Sequence, residues 1–161
     1  MSNRVFLKGL LDEEKGRFLG VLNAVPPDKL EWRPEARSRT AGELLGHLIG
    51  HEQDLVELIE TGIINHRIQV PYDDHAHAVS LFRAGREEAV AKLDSIDDAA
   101  WASEGQFLVN GNVIYRLPRM QLAWILFLDA VHHRGQLSTY LRPMGSKCPS
   151  IYGPSADTQN S

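Results

Sequence analysis

The chain holds one cysteine, Cys148, so it can form no internal disulfide. That usage fits a reducing compartment, and the expectation is a cytoplasmic protein. No apolar run approaches the roughly 18 residues of a membrane-crossing helix, so no membrane partner is expected. The first residues, Met1-Ser2-Asn3-Arg4, do not lead into a signal-peptide core, because Lys8, Asp12, Glu13 and Glu14 interrupt the apolar positions. Positive charge is also scarce: 17 Lys and Arg stand against 21 Asp and Glu, a formal net charge of −4. Phosphate backbones call for a basic face, so no nucleic acid is expected as partner. Glycine-rich phosphate loops and nucleophile elbows are absent. Nothing beside Cys148 would activate its thiol.

What the chain does have is length for one core and helical patterning. Its 161 residues fit one domain, residues 1–161, on the usual size prior. A first helix is predicted from about Asn3 to Ala24, where Val5, Leu7, Leu10, Leu11, Phe18, Leu19, Val21 and Leu22 recur at three- and four-residue spacing. Pro26-Pro27 ends it, and Leu30 to Pro34 reads as a loop. A second helix opens at Thr40, where Thr40-Ala-Gly-Glu43 fits a capping box, and closes at Gly62. Leu44, Leu48, Leu55 and Leu58 share its inner face, with His47 and His51 among them. A third helix lies near Asp74 to Ile96, capped by Asp73 or Asp74. Trp101 to Arg116 reads as non-helical, with a short hairpin turning at Asn110-Gly-Asn. Pro118 starts a fourth helix that ends before Pro143. It is apolar nearly all round from Leu122 to Val131, which predicts a central position. Helices joined by loops, with one small hairpin before the last, predict an all-α four-helix bundle.

Two of these helices carry the chemistry. Asp129 and His133 are one turn apart and share a face. Asp129 interrupts the run Leu122-Ala-Trp-Ile-Leu-Phe-Leu128, where an unpaired charge would be costly to bury. A divalent cation would stabilise it; so would Arg134, Arg142 or an arginine of another helix. His47 on the second helix could complete a set of two imidazoles and one carboxylate, which leaves coordination positions open. That set suits zinc, nickel, iron or manganese. A lone histidine on an apolar face is more often a satisfied core residue than a ligand, and His51 could replace His47 or support it. His132 must point about 100° away from His133. His66, His75 and His77, at loops or helix starts, read as solvent-exposed.

The run His132-His133-Arg134-Gly135-Gln136-Leu137, then Tyr140-Leu141-Arg142 and Met144-Gly145, resembles the signature near the end of DinB-like proteins. The segment Ala41 to Leu48 resembles that superfamily's other marked helix. The superfamily includes YfiT-type metal-dependent hydrolases and related thiol-dependent transferases. The resemblance implies a helical bundle with a divalent metal, zinc or nickel first, held by one histidine of the second helix and two, four apart, of the last. His47 and His133 match, and Asp129 stands at the intermediate position. A register one residue earlier would pair Leu128 with His132 and lose a ligand. The activity so implied is hydrolysis or transfer of a low-molecular-weight thiol to a small-molecule substrate. The alternative is a non-enzymatic stress or ligand-binding protein. Relatives are often dimeric, and Leu30 to Trp32 and Trp101 to Phe107 read as exposed aromatic segments, so a homodimer is expected.

Overall fold

A computed structural model of the chain describes residues 2–159; the expected domain bounds run past it at Met1, Asn160 and Ser161. In chain order the elements are α1 (Asn3–Asn23), α2 (Ala41–Thr61), β1 (Ile63–Asn65), α3 (His75–Lys92), α4 (Asp98–Ala102), β2 (Glu104–Val109), β3 (Asn112–Pro118) and α5 (Arg119–Tyr140). Helix ends fall where the sequence supplies caps. The Thr40 hydroxyl accepts from the Glu43 N–H at 3.0 Å, and the Glu43 carboxylate accepts from the Thr40 N–H at 2.7 Å. Gly62 closes α2 in the left-handed region at φ 77°. Asp74 caps α3 by accepting from the His77 N–H at 2.8 Å.

α2 packs against α3 and α5, and α1 closes on the same two. Leu11, Phe18, Leu22, Leu44, Leu48, Leu58, Phe82, Leu122 and Leu137 meet between them, each at most 1% exposed. Burial of such a side chain contributes about 1.5–3 kcal/mol. Two buried ion pairs cross this core. Arg86 donates to both Glu52 oxygens, at 2.6 and 2.7 Å. Arg134 pairs with Glu14, whose carboxylate also accepts from the Tyr152 hydroxyl at 3.0 Å. The Phe18 ring meets both guanidinium groups, at 4.7 and 4.6 Å from its centroid.

The all-α expectation is corrected by a three-stranded sheet, ordered β1-β2-β3. β1 runs parallel to β2, and β2 antiparallel to β3. The hairpin turns at Asn110-Gly111, with φ 51° and 78°, the positive pair that a two-residue turn of this kind needs. β1 is three residues long, too short to show alternation, and exists because the edge of β2 offers it a partner. Trp101, expected outside any helix, lies in α4 at 2% exposure. α5 is not central: Ile125 and Leu128 are 41% and 58% exposed. α1, α2 and the short elements α4, β2 and β3 pack on its other faces.

Candidate metal centre

α2 carries His47 and His51 one turn apart, and α5 carries Asp129 and His133 at the same spacing. The packing of α2 on α5 brings one donor atom from each of the four within 4.8 Å of the others. Asp129 Oδ2 is the focus. It lies 3.0 Å from His51 Nε2, 3.4 Å from His133 Nε2 and 3.9 Å from His47 Nε2. The structure thus unites His47, Asp129 and His133 and adds His51, whose place the sequence had left open. The alternative register does not face α2: His132 and Leu128 are both exposed.

Two expectations about Asp129 are overturned. Its side chain is 46% exposed rather than buried, because α5 shows that edge to solvent. Neither suggested arginine reaches it: Arg134 is committed to Glu14 and Tyr152, and Arg142 to Asp157 at 2.9 Å. Among the described residues its ion-pair partners are imidazoles alone. His133 first, then His51, hold the Asp129 carboxyl well below the usual carboxylate range.

The imidazoles are oriented from behind. His47 Nδ1–H donates to the Ile68 carbonyl at 2.8 Å, which leaves the Nε2 lone pair facing Asp129. His133 Nδ1–H donates in the same way to the Gln136 amide oxygen at 3.1 Å. Burial first, then the neighbouring charges of His51 and Arg39, push His47 down to about 3, so it is neutral at pH 7. His51 is different: it is 3% exposed, and neither ring nitrogen has a hydrogen-bond partner among the described residues. Its Nε2 is close to Asp129 Oδ2 but not aligned for N–H···O bonding.

A glycine stripe on α2 makes the His47 anchor possible. Gly42, Gly46 and Gly50 recur every four residues, so residues 67–72 lie directly on the helix. The Arg67 carbonyl sits where a Gly50 side chain would stand, and Val70 O is 2.8 Å from the position a Gly46 Cβ would take. The Val70 N–H donates to the Gly46 carbonyl at 3.2 Å and Tyr72 O–H to that of Gly42 at 2.9 Å. This close approach delivers the Ile68 carbonyl to His47.

His66 was expected in solvent. Instead β1 carries it under the site, where its Nδ1 meets Asp54 Oδ2 at 2.7 Å and its ring lies 5.6 and 5.7 Å from those of His47 and His51. Asp54, fully buried, also accepts from the Arg67 guanidinium at 2.7 Å. The second grouping of possible ligands, His51, Asp54 and His66, therefore already has its cation. The other two histidines have ordinary roles: His75 Nε2 bonds the Leu22 carbonyl at 2.9 Å, and His77 pairs with Asp73 at 2.9 Å.

The four-residue cluster fits a divalent ion. Its imidazoles and carboxylate are hard-to-borderline donors. His47 is neutral and Asp129 ionised at neutral pH, the states that coordination requires. The partnerless nitrogens of His51 are the kind of buried polar atom that demands an explanation, and coordination supplies one.

The model of the DinB family matches residues 1–160. The chain belongs to the DinB family. No curated protein matches the sequence. Among solved structures, a DinB-like protein of Bacillus subtilis aligns over 91% of this chain and 98% of its own, with TM-score 0.71 and 17% identity. A DinB-like protein of Bacillus cereus aligns over 86% and 91%, with TM-score 0.68 and 20% identity. A mycothiol-dependent maleylpyruvate isomerase aligns over 91% of this chain and 62% of its own, with TM-score 0.48 and 15% identity. At such identities the likeness to the first two concerns the fold. Among the described residues of this DinB chain, no helix is long and apolar enough to cross a membrane.

Proposed function

We propose that this DinB-family protein is a divalent-metal-dependent enzyme that hydrolyses a small molecule or transfers a low-molecular-weight thiol to one. The observation that supports the reading is His51: a buried imidazole without a hydrogen bond among the described residues, turned with two other imidazoles toward one half-exposed carboxylate. A bound divalent ion lowers the pKa of a water or thiol beside it and so provides a nucleophile near neutral pH. The chain's own part is to hold His47 and His133 in one tautomer through Ile68 and Gln136, and to keep the far side of the site dry behind α2. The exposed edge at Asp129 is where a substrate would enter.

Four donors close a tetrahedron, and a closed zinc site is structural rather than catalytic. An ion that takes six ligands, such as nickel, iron or manganese, would keep two positions open on the same residues. The fourth donor therefore also supports the rival reading, a non-enzymatic metal-holding protein. The test is metal content and water relaxation of protein purified without an affinity tag. Stoichiometric metal with exchangeable inner-sphere water favours the enzyme; stoichiometric metal without it favours the rival. Metal retained in full by His47→Ala and His133→Ala would show that this cluster does not hold the ion. Asp129→His should preserve or tighten binding by supplying another imidazole.

We also propose a homodimer, at a different surface from the one the sequence pointed to. Trp101 is buried, and Trp32 packs edge-on against Tyr140 at 5.2 Å. The uncovered apolar face is built by α1 and α5, where Phe6 stacks on Trp124 at 6.1 Å and Phe6 and Leu128 are 53% and 58% exposed. Light scattering of wild type and Leu128→Glu tests this: the variant should shift to monomer, and a wild-type monomer at micromolar concentration would refute it.

A further inference from the structure

Beside the His47 anchor lies a surface cavity of about 310 Å³, lined by Arg39, Glu43, Ile68 and Gln69. Ile68 links it to the cluster, since its carbonyl is the acceptor for His47 Nδ1. Arg39 is the one cation in the lining. Its backbone is pinned at the end of α5, where the Tyr140 hydroxyl donates to the Arg39 carbonyl at 3.2 Å. Its side chain has no ion pair among the described residues, and Nη1 is buried without an acceptor. A buried guanidinium N–H left unpaired is costly. The carboxylate of Glu43, across the same cavity, is engaged by the Thr40 N–H at 2.7 Å as the helix cap.

We propose that Arg39 is the carboxylate-binding residue of a substrate subsite next to the imidazole cluster. The substrate or thiol would then carry a carboxylate. A guanidinium presents paired N–H donors that match a carboxylate fork. A phosphate dianion fits less well, because one arginine must balance it against the charge of Glu43. Gln69 adds an amide to the rim. Its side chain lies across Gly46, on the stripe that positions Ile68, so ligand contact there would be registered by the segment that orients His47.

Assignment of the subsite to the substrate rests on the metal-enzyme reading, but its anion chemistry does not, and the experiment separates them. Metal-free full-length protein is titrated with butyrate, butyramide and inorganic phosphate while backbone and guanidinium resonances are followed. Butyrate should shift Arg39, Ile68 and Gln69 saturably, and butyramide should not. Arg39→Gln should weaken butyrate by about tenfold or more, with its denaturant midpoint unchanged or raised. Equal binding of butyramide, tighter binding of phosphate, or unchanged butyrate affinity in Arg39→Gln would each overturn the carboxylate site. So would a lowered midpoint in Arg39→Gln without any saturable butyrate shift in wild type, which marks a structural residue. A second arm uses nickel-loaded protein with 3-mercaptopropionate and the neutral 3-mercapto-1-propanol. The acid should bind about tenfold or more tighter, and Arg39→Gln should erase the difference. Equal affinity of the two thiols, with the butyrate site intact, would overturn its role toward the metal's substrate. Failure to load nickel, zinc, iron or manganese would sink the metal reading alone.

Discussion

Replacing His51 by leucine separates what this side chain does for stability from what it does for a metal. His51 is 3% exposed, and its two nitrogens are buried without hydrogen-bond partners. A buried polar atom left unsatisfied costs about 1–3 kcal/mol. Leucine has a similar volume and no polar atom, so in chelator His51→Leu should be more stable than wild type by about 1–3 kcal/mol. Loss of the 3.0 Å approach to Asp129 places the result toward the lower end. For a chain of this size each kcal/mol moves Tm by about 2–4 °C. With free metal at about 1,000 times Kd, wild type gains about 4.1 kcal/mol. Loss of even a group supporting a ligand weakens binding about 10–100-fold. The metal-dependent gain of the variant should therefore fall to about 1.4–2.7 kcal/mol. The assay is denaturant unfolding of both proteins in chelator and in excess nickel or zinc. Two results would refute the reasoning: a lower midpoint for His51→Leu in chelator, showing that His51 is already satisfied, or an undiminished response to metal.

Gly50→Ala should lift residues 66–70 off α2, because the Arg67 carbonyl occupies the space of the new methyl. Overpacking of this kind costs about 1–3 kcal/mol, and metal affinity should fall about 10–100-fold as Ile68 withdraws from His47. Normal stability and affinity in this variant would show that the stripe is not what positions Ile68. Acid should destabilise the apo-protein beginning near pH 6.5. The folded His47 titrates at about 3 and the unfolded residue at 6.5, so below 6.5 only the unfolded chain takes up that proton. Its contribution is complete above pH 6.5 and lost toward pH 3, at up to about 1.4 kcal/mol per pH unit. Asp129, depressed below its ordinary 3.8, adds a loss of the same sign as pH falls below that value. Denaturant midpoints from pH 7.5 to 4.5 check this; His47→Gln should flatten the slope, and a flat wild-type profile would refute it.

Local patterning in the sequence decided the helix starts, the hairpin turn and the faces on which the ligands lie. A capping box at Thr40, a positive-φ Asn110-Gly111 pair, and donors four residues apart at Asp129 and His133 are short-range facts, set by backbone sterics and helical periodicity. Packing decided the rest. The identity of Asp129's neighbours depended on which edge of α5 met α2, and an apolar run cannot reveal that one side faces solvent. Arg134 reads in sequence as close to Asp129, yet five residues of helix set it about 140° around from Asp129, where it meets Glu14 of α1. His66 entered the site through three residues of strand that exist only because β2 offers an edge. His51 was already open as a ligand or supporting group from its spacing, but only packing shows that both its ring nitrogens are buried without a hydrogen bond, a property of three-dimensional structure that sequence spacing cannot carry.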